Sequence, residues 1–195
     1  DMRHQYLMID SRGNPVAHGT SDDGLEKSVW EIQVDSGDIK RVLSHEYVSL
    51  VSSSEKVPAM EGRIIPRDGN IISVESVRRL GEDVRRNLRM PVRFESYLYP
   101  VSGEWKGRLP ILSNDLSCGG ISFFCARTLA EGEIVQIAVP ITAQPLLLNI
   151  KVLRQRPSGE PIPLFAAAFE ELVHEEEKMI REAVFSLQLS GTTGI

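Results

Sequence analysis

Cysteine is scarce in this chain of 195 residues: there are two, Cys118 and Cys125, within one loop-and-strand stretch. An extended chain holds them too far apart to bridge, so they read as reduced thiols, the state kept by the cytoplasm. Long apolar stretches are missing too. No run approaches the roughly 20 residues that span a bilayer, and Asp1-Met2-Arg3-His4 carries no apolar signal region. The expectation is a cytoplasmic chain without membrane insertion. Positive charge is in deficit, 22 Lys and Arg against 27 Asp and Glu, for a net charge of -5. A general nucleic-acid binder needs a basic surface to displace counterions, so nucleic acid is not an expected partner. His4, His18, His45 and His174 are scattered. Glu171-Leu172-Val173-His174 fits a carboxylate-bridged metal motif of helix bundles, but the second copy such sites need is missing. It reads as a solvated helix start. No GxSxG element or Cys/His pairing points to a nucleophile. No metal, no cofactor and no catalytic residue is expected.

What is present describes an ordinary globular chain, 42% hydrophobic and 25% charged. Its length suits one large or two small domains. Arginine dominates the basic residues, 16 against 6 lysines. It is the side chain suited to bidentate contacts with phosphate and guanine edges and to stacking on bases.

Taken in order, residues 1 to about 27 are polar, with one short strand at Tyr6-Leu7-Met8-Ile9 and a turn at Asp10 to Pro15. Trp30, Ile32 and Val34 then alternate with Glu31 and Gln33, the period of a half-buried strand. Ile39 to Leu43 and Glu46 to Val51 read as two short strands or one bent one. Arg63 to Pro66 and Asn70 to Glu75 flank Asp68-Gly69, a hairpin signal. Residues 28–76 therefore read as a small all-β domain. Residues 77–89 form a charged joint, either a frayed helical turn or an extended linker.

In the second half, Val92, Phe94 and Leu98 share a face against Arg93, Glu95 and Tyr97. Gly107 to Ser113 follows. Ile121, Phe123 and Cys125 then oppose Ser122 and Phe124, and further inward rows come from Val135/Ile137/Val139, Leu148/Ile150/Val152 and Phe165/Ala167/Phe169. Turns are expected at Ser102-Gly103, Gly119-Gly120, Glu131-Gly132, Ala143 to Pro145 and Pro157 to Gly159. Six strands at this spacing with no helix between them read as a closed antiparallel barrel, which leaves no exposed edge. After Phe169 the period becomes helical, at Ile180, Ala183, Val184 and Leu187. Glu175-Glu176-Glu177 lies where the helix dipole favours negative charge.

One pair of motifs carries chemistry. An RxxxR pattern occurs at Arg63/Arg67, Arg85/Arg89 and Arg89/Arg93; only Arg85-Arg86-Asn87-Leu88-Arg89 lies just before a strand leading to Asp115-Leu116-Ser117-Cys118-Gly119-Gly120, a DxSxxG element. In this order the two motifs resemble the PilZ domain, the bacterial receptor module for cyclic di-GMP. The resemblance spans about Val84 to Gln188 and implies a mainly β chain. It would comprise a small all-β N-terminal domain at 1–80, like that of flagellar-brake PilZ proteins, and a linker at 81–90 carrying RxxxR. A six-stranded PilZ-type barrel with a C-terminal helix packed over it would follow at 91–190, with a tail at 191–195.

The ligand explains the motif's residue types. Cyclic di-GMP offers two guanines and two phosphates. Arginine pairs bidentately with guanine O6 and N7 and by charge-assisted bonds with phosphate. By carry-over from the family, Arg85 and Arg89 are the main contacts and Arg86 a third. The donors at guanine N1 and N2 need an acceptor, which Asp115 supplies, with Ser117 as a weaker second. Gly119 and Gly120 are expected to allow positive φ and close backbone approach. Val84, rather than a further arginine, precedes Arg85, which favours one bound ligand over an intercalated pair. The expectation is a non-enzymatic effector whose joint is ordered by ligand, re-angling the N-terminal domain toward a downstream protein of flagellar motility or exopolysaccharide synthesis. A homodimer is left open. The alternatives are an interaction module that no longer binds nucleotide and an enzyme of cyclic dinucleotide turnover; the absence of metal-ligand clusters disfavours the latter.

Overall fold

The computed structural model describes residues 3–24, 27–35, 37–54, 56–101 and 105–190, without the side chains of Arg85, Leu189 and Ser190. The expected turn at Ser102-Gly103 and the tail at 191–195 lie outside the described residues. The chain divides into two compact units, Asp1–Leu88 and Arg89–Ile195, and is mainly β throughout, as expected.

The first unit is a closed barrel of β1 (His4–Ile9), β2 (Pro15–Ser21), β3 (Val29–Val34), β4 (Tyr47–Ser52), β5 (Met60–Pro66) and β6 (Ile71–Arg79). They are ordered β1-β2-β3-β6-β5-β4, and β4 pairs back to β1. Trp30, Ile32 and Val34 point inward as their alternation predicts, joining Met8, Leu50, Ile72 and Val74 in one core. Asp68-Gly69 does close the β5–β6 hairpin, with Gly69 at φ 61°.

Two expectations fail here. Ile39–Leu43 is not a strand but a short helix, α1, with Val42 fully buried. Five residues with apolar side chains three apart satisfy either period, so periodicity alone cannot decide. The second is β2, whose proline, histidine, glycine and serine disguise a strand. A Cβ on Gly19 would lie 2.7 Å from Ile32 Cγ2 and 2.9 Å from the Gln33 carbonyl oxygen. The glycine is there because β3 passes too close for a side chain.

A four-residue helix, α2 (Asp83–Arg86), holds Arg85 and Arg86. Its amide of Asn87 donates to the Asp83 carbonyl at 2.9 Å.

The second unit contains β7 (Met90–Pro91), β8 (Glu95–Pro100), β9 (Leu109–Leu116), β10 (Gly120–Cys125), β11 (Ile134–Val139), β12 (Leu146–Arg156) and β13 (Leu164–Phe169). The order β10-β13-β12-β11-β8-β9 closes through β9–β10 into a six-stranded antiparallel barrel, with β7 laid along β9. Phe123, Phe165, Ile137 and Ile150 fill its interior, the rings of Phe123 and Phe165 meeting at 6.3 Å. The opposite face of β10 is covered too: Ser122 is 2% and Phe124 8% exposed. The final helix, α3 (His174–Ser190), buries Ile180 and Val184 and contacts β7. The Val173 amide donates to Glu176 Oε1 at 3.1 Å. This is half of a capping box, and it gives Glu176 of the acidic run its part at the helix start.

Candidate functional site

The DxSxxG stretch is the β9–β10 hairpin. Asp115, the next-to-last residue of β9, lies opposite Ser122, and a bulge adjoins it, since Phe123 pairs with Ser113 and Asn114 is left over. Bulges re-aim side chains and sit beside functional sites in many sheets. This one turns Asn114 and Asp115 toward the same serine. The Ser122 hydroxyl donates to Asp115 Oδ1 at 2.7 Å and accepts from the Asp115 amide at 3.2 Å and from Asn114 Nδ2 at 3.1 Å. The other carboxylate oxygen, Oδ2, faces Arg156 Nη1 at 3.4 Å. Alternation along β10 and β13 puts Gly120, Ser122, Ala166 and Ala168 on the outer wall, opposite the inward Phe123 and Phe165. Small side chains there leave a smooth surface beside the carboxylate.

Ser117 ties the tip of the hairpin. Its amide donates to the Gly120 carbonyl at 2.9 Å, and its hydroxyl accepts from the Gly120 amide at 3.1 Å. The glycines differ from expectation in their reason for being there. Neither Gly119 nor Gly120 has positive φ. Gly120 is required by proximity: a Cβ on it would lie 2.3 Å from the Ala167 carbonyl oxygen, whereas one on Gly119 meets nothing within 4 Å. The Gly119 carbonyl accepts from the Phe169 amide at 3.0 Å, fastening the loop to β13.

Of the expected arginines, Arg89 directly precedes β7, in which Met90 pairs with Leu116 and Pro91 with Asp115. The register therefore carries Arg89 to the turn that begins at Ser117. Arg89 is half-buried and has no hydrogen-bond or ion-pair partner among the described residues. Arg86 is exposed; its amide donates to the Glu82 carbonyl at 3.3 Å, and its side chain has no such partner among the described residues. It belongs to the first unit, as does Arg85, whose side chain lies outside the described residues.

Sequence reasoning missed Ser122, Asn114 and Arg156. Ser122 had a signal, a small polar residue among apolar ones; Arg156 had none, being 41 positions from its partner. No disulfide joins Cys118 and Cys125, and burial pushes the Cys125 thiol pKa up. Among the described residues no cluster of three His, Cys, Asp or Glu could hold a metal, and no helix is long and apolar enough to cross a membrane.

A family model described as PilZ domain matches residues 83–186, spanning both motifs. No curated protein matches the sequence. Among solved structures, the Bacillus subtilis inhibitor of motility MotI/DgrA aligns at 15% identity over 96% of this chain and 97% of its own, with a TM-score of 0.47. YcgR from Escherichia coli in complex with c-di-GMP aligns at 11% identity over 96% and 84%, with a TM-score of 0.45. MrkH of K. pneumonia in its c-di-GMP complex aligns at 12% identity over 96% and 88%, with a TM-score of 0.46.

Proposed function

Because the chain belongs to the PilZ domain family, we propose that it is a cyclic di-GMP receptor, an effector rather than an enzyme, acting in the cytoplasm. The reading rests on one observation: β7 runs beside the DxSxxG hairpin, so the end of the arginine motif and the acidic end share one strand register. The proposed ligand contacts are Arg85, Arg86, Arg89, Asp115, Ser117, Gly119 and Gly120. Guanidinium groups take phosphate and the O6/N7 edge of guanine. The Asp115 carboxylate accepts from guanine N1–H and N2–H. Gly120 leaves the outer wall low enough for a planar base to approach.

The proposed switch is ordering of residues 81–90. Unliganded, the arginines repel one another; two phosphates neutralise them. A ligand shifts an equilibrium only by its differential affinity for two states, and here the ordered segment is the state that binds. A micromolar dissociation constant corresponds to about 8 kcal/mol, enough to order a short segment and change how the two units are held for a downstream protein. Motility and exopolysaccharide synthesis are the two outputs that family analogy offers.

Calorimetry with cyclic di-GMP tests the reading. Binding by the wild type and its loss in Arg89→Ala are expected. Arg67→Ala is expected to bind normally, since Arg67 is committed to Ser73 Oγ at 2.9 Å in the first barrel. Equal effects of the two substitutions overturn the assignment of the arginines. No binding by the wild type leaves the interaction module.

A further inference from the structure

The pairing of Arg156 with Asp115 is the least expected contact in the second barrel. Between them lie β13 and β10, three strand spacings or about 14 Å of sheet. Arg156 itself pairs with Leu164, which pairs with Phe124; the row of Asp115 runs through Ser122 and Ala166 to Arg154, two residues before Arg156, so the arginine reaches the carboxylate diagonally, toward a row of short side chains. Both partners are largely shielded, 22% and 15% exposed as side chains. The contact is single and long: one nitrogen, Nη1, meets one oxygen, Oδ2, at 3.4 Å. The remaining guanidinium donors are uncommitted among the described residues, and each carboxylate oxygen keeps a lone pair. Asp115 is held from both sides, by the Ser122 hydroxyl and by Arg156, so its orientation is set before any ligand arrives.

We propose that Arg156 and Asp115 act together as a reader of one guanine edge, Arg156 donating to O6 while Asp115 accepts from N1–H and N2–H. This rests on the protein being a cyclic di-GMP receptor, and it adds a specificity residue outside both motifs. The edge of guanine runs acceptor, donor, donor. A guanidinium beside a carboxylate runs donor, acceptor, acceptor, its complement. Adenine presents a donor where guanine has O6, and so places a donor against a guanidinium and leaves a carboxylate oxygen unpaired. Sites built to satisfy a hydrogen-bonding edge reject analogues strongly, because their own shielded groups are then left without partners.

The test is calorimetry on the full chain with cyclic di-GMP and with its inosine analogue, which keeps O6 and N1–H but lacks the exocyclic amine. For Arg156→Ala the expected result is a loss of affinity of about tenfold or more, by the same factor for both ligands, because O6 is common to them. Arg156→Lys, which keeps a donor beside the carboxylate, is expected to recover part of the loss and stands in should the alanine variant fail to fold. Undiminished cyclic di-GMP binding by Arg156→Ala overturns the proposal and leaves the receptor reading intact. So does a loss that disappears with the inosine analogue, because Arg156 would then act only by orienting Asp115 toward the amine. Absence of binding by the wild type overturns both.

Discussion

Among the described residues the first barrel carries several arginine–carboxylate pairs and the second carries one, and they are built differently. In the first barrel Arg63 faces Glu75 and Arg78 faces Glu61, each pair directly opposite across β5 and β6. They meet at 3.2 and 3.0 Å with side chains 43%/48% and 67%/29% exposed. Such pairs are solvated, screened by salt and worth little. In the second barrel Arg156 reaches Asp115 over two intervening strands, mostly shielded, and a buried serine holds the same carboxylate. The first arrangement follows from register alone. The second needs a bulge, a serine and a clear path over small residues to coincide. Two barrels of the same strand number therefore differ in their outer walls: one is a solvated surface, the other a prepared polar cluster.

The largest effects should come from the two cores. Phe123→Ala and Trp30→Ala are each expected to cost about 3–5 kcal/mol, read by urea unfolding. Each barrel closes around its own core, so the first should lower only the transition of the second barrel and the second only that of the first. One shared transition shifting in both variants would dissolve the comparison. Next come the glycines of the hairpin. Gly120→Ala forces a methyl against the Ala167 backbone and is expected to lose about 1–3 kcal/mol. Gly119→Ala, in open space, should stay within about 0.5 kcal/mol. Equal melting temperatures would mean that β10 and β13 can part without cost. The smallest effect belongs to the exposed pairs. Glu75→Gln should change stability by less than about 1 kcal/mol, with that small change fading further in high salt. Asp115→Ala should cost more and respond less to salt, since its partner is shielded. The reverse ranking would show that shielding of the Arg156 pair carries no energy.

Much of this was legible in the chain, and unevenly. The rows Val135/Ile137/Val139 and Leu148/Ile150/Val152 are buried as alternation predicts, because a strand with one wet face writes its period into the sequence. In β10 both faces are covered, so alternation separated the inward Phe123 from Ser122 and Phe124 but held no sign that these two are buried as well. β2 was hidden because Gly19 meets the need of a neighbouring strand, β3, rather than a strand propensity. At the candidate site, Asp115, Ser117 and Gly120 fall within one hairpin, as residues so close in the chain would. The motif gave the wrong reason for Gly120, whose constraint is the carbonyl of Ala167 on another strand.

By itself the sequence determined the class of each half, the hairpin at Asp68-Gly69, the terminal helix and the motif pair, all properties carried by residues a few positions apart. Only the tertiary structure decided that β4 returns to β1 and β9 to β10, that five apolar-spaced residues coil rather than extend, and that Arg156 stands beside Asp115. Those outcomes depend on closure of the sheet, which brings together groups separated by tens of residues. Local preferences act over a turn or a strand and hold no information about which distant carboxylate a guanidinium will meet.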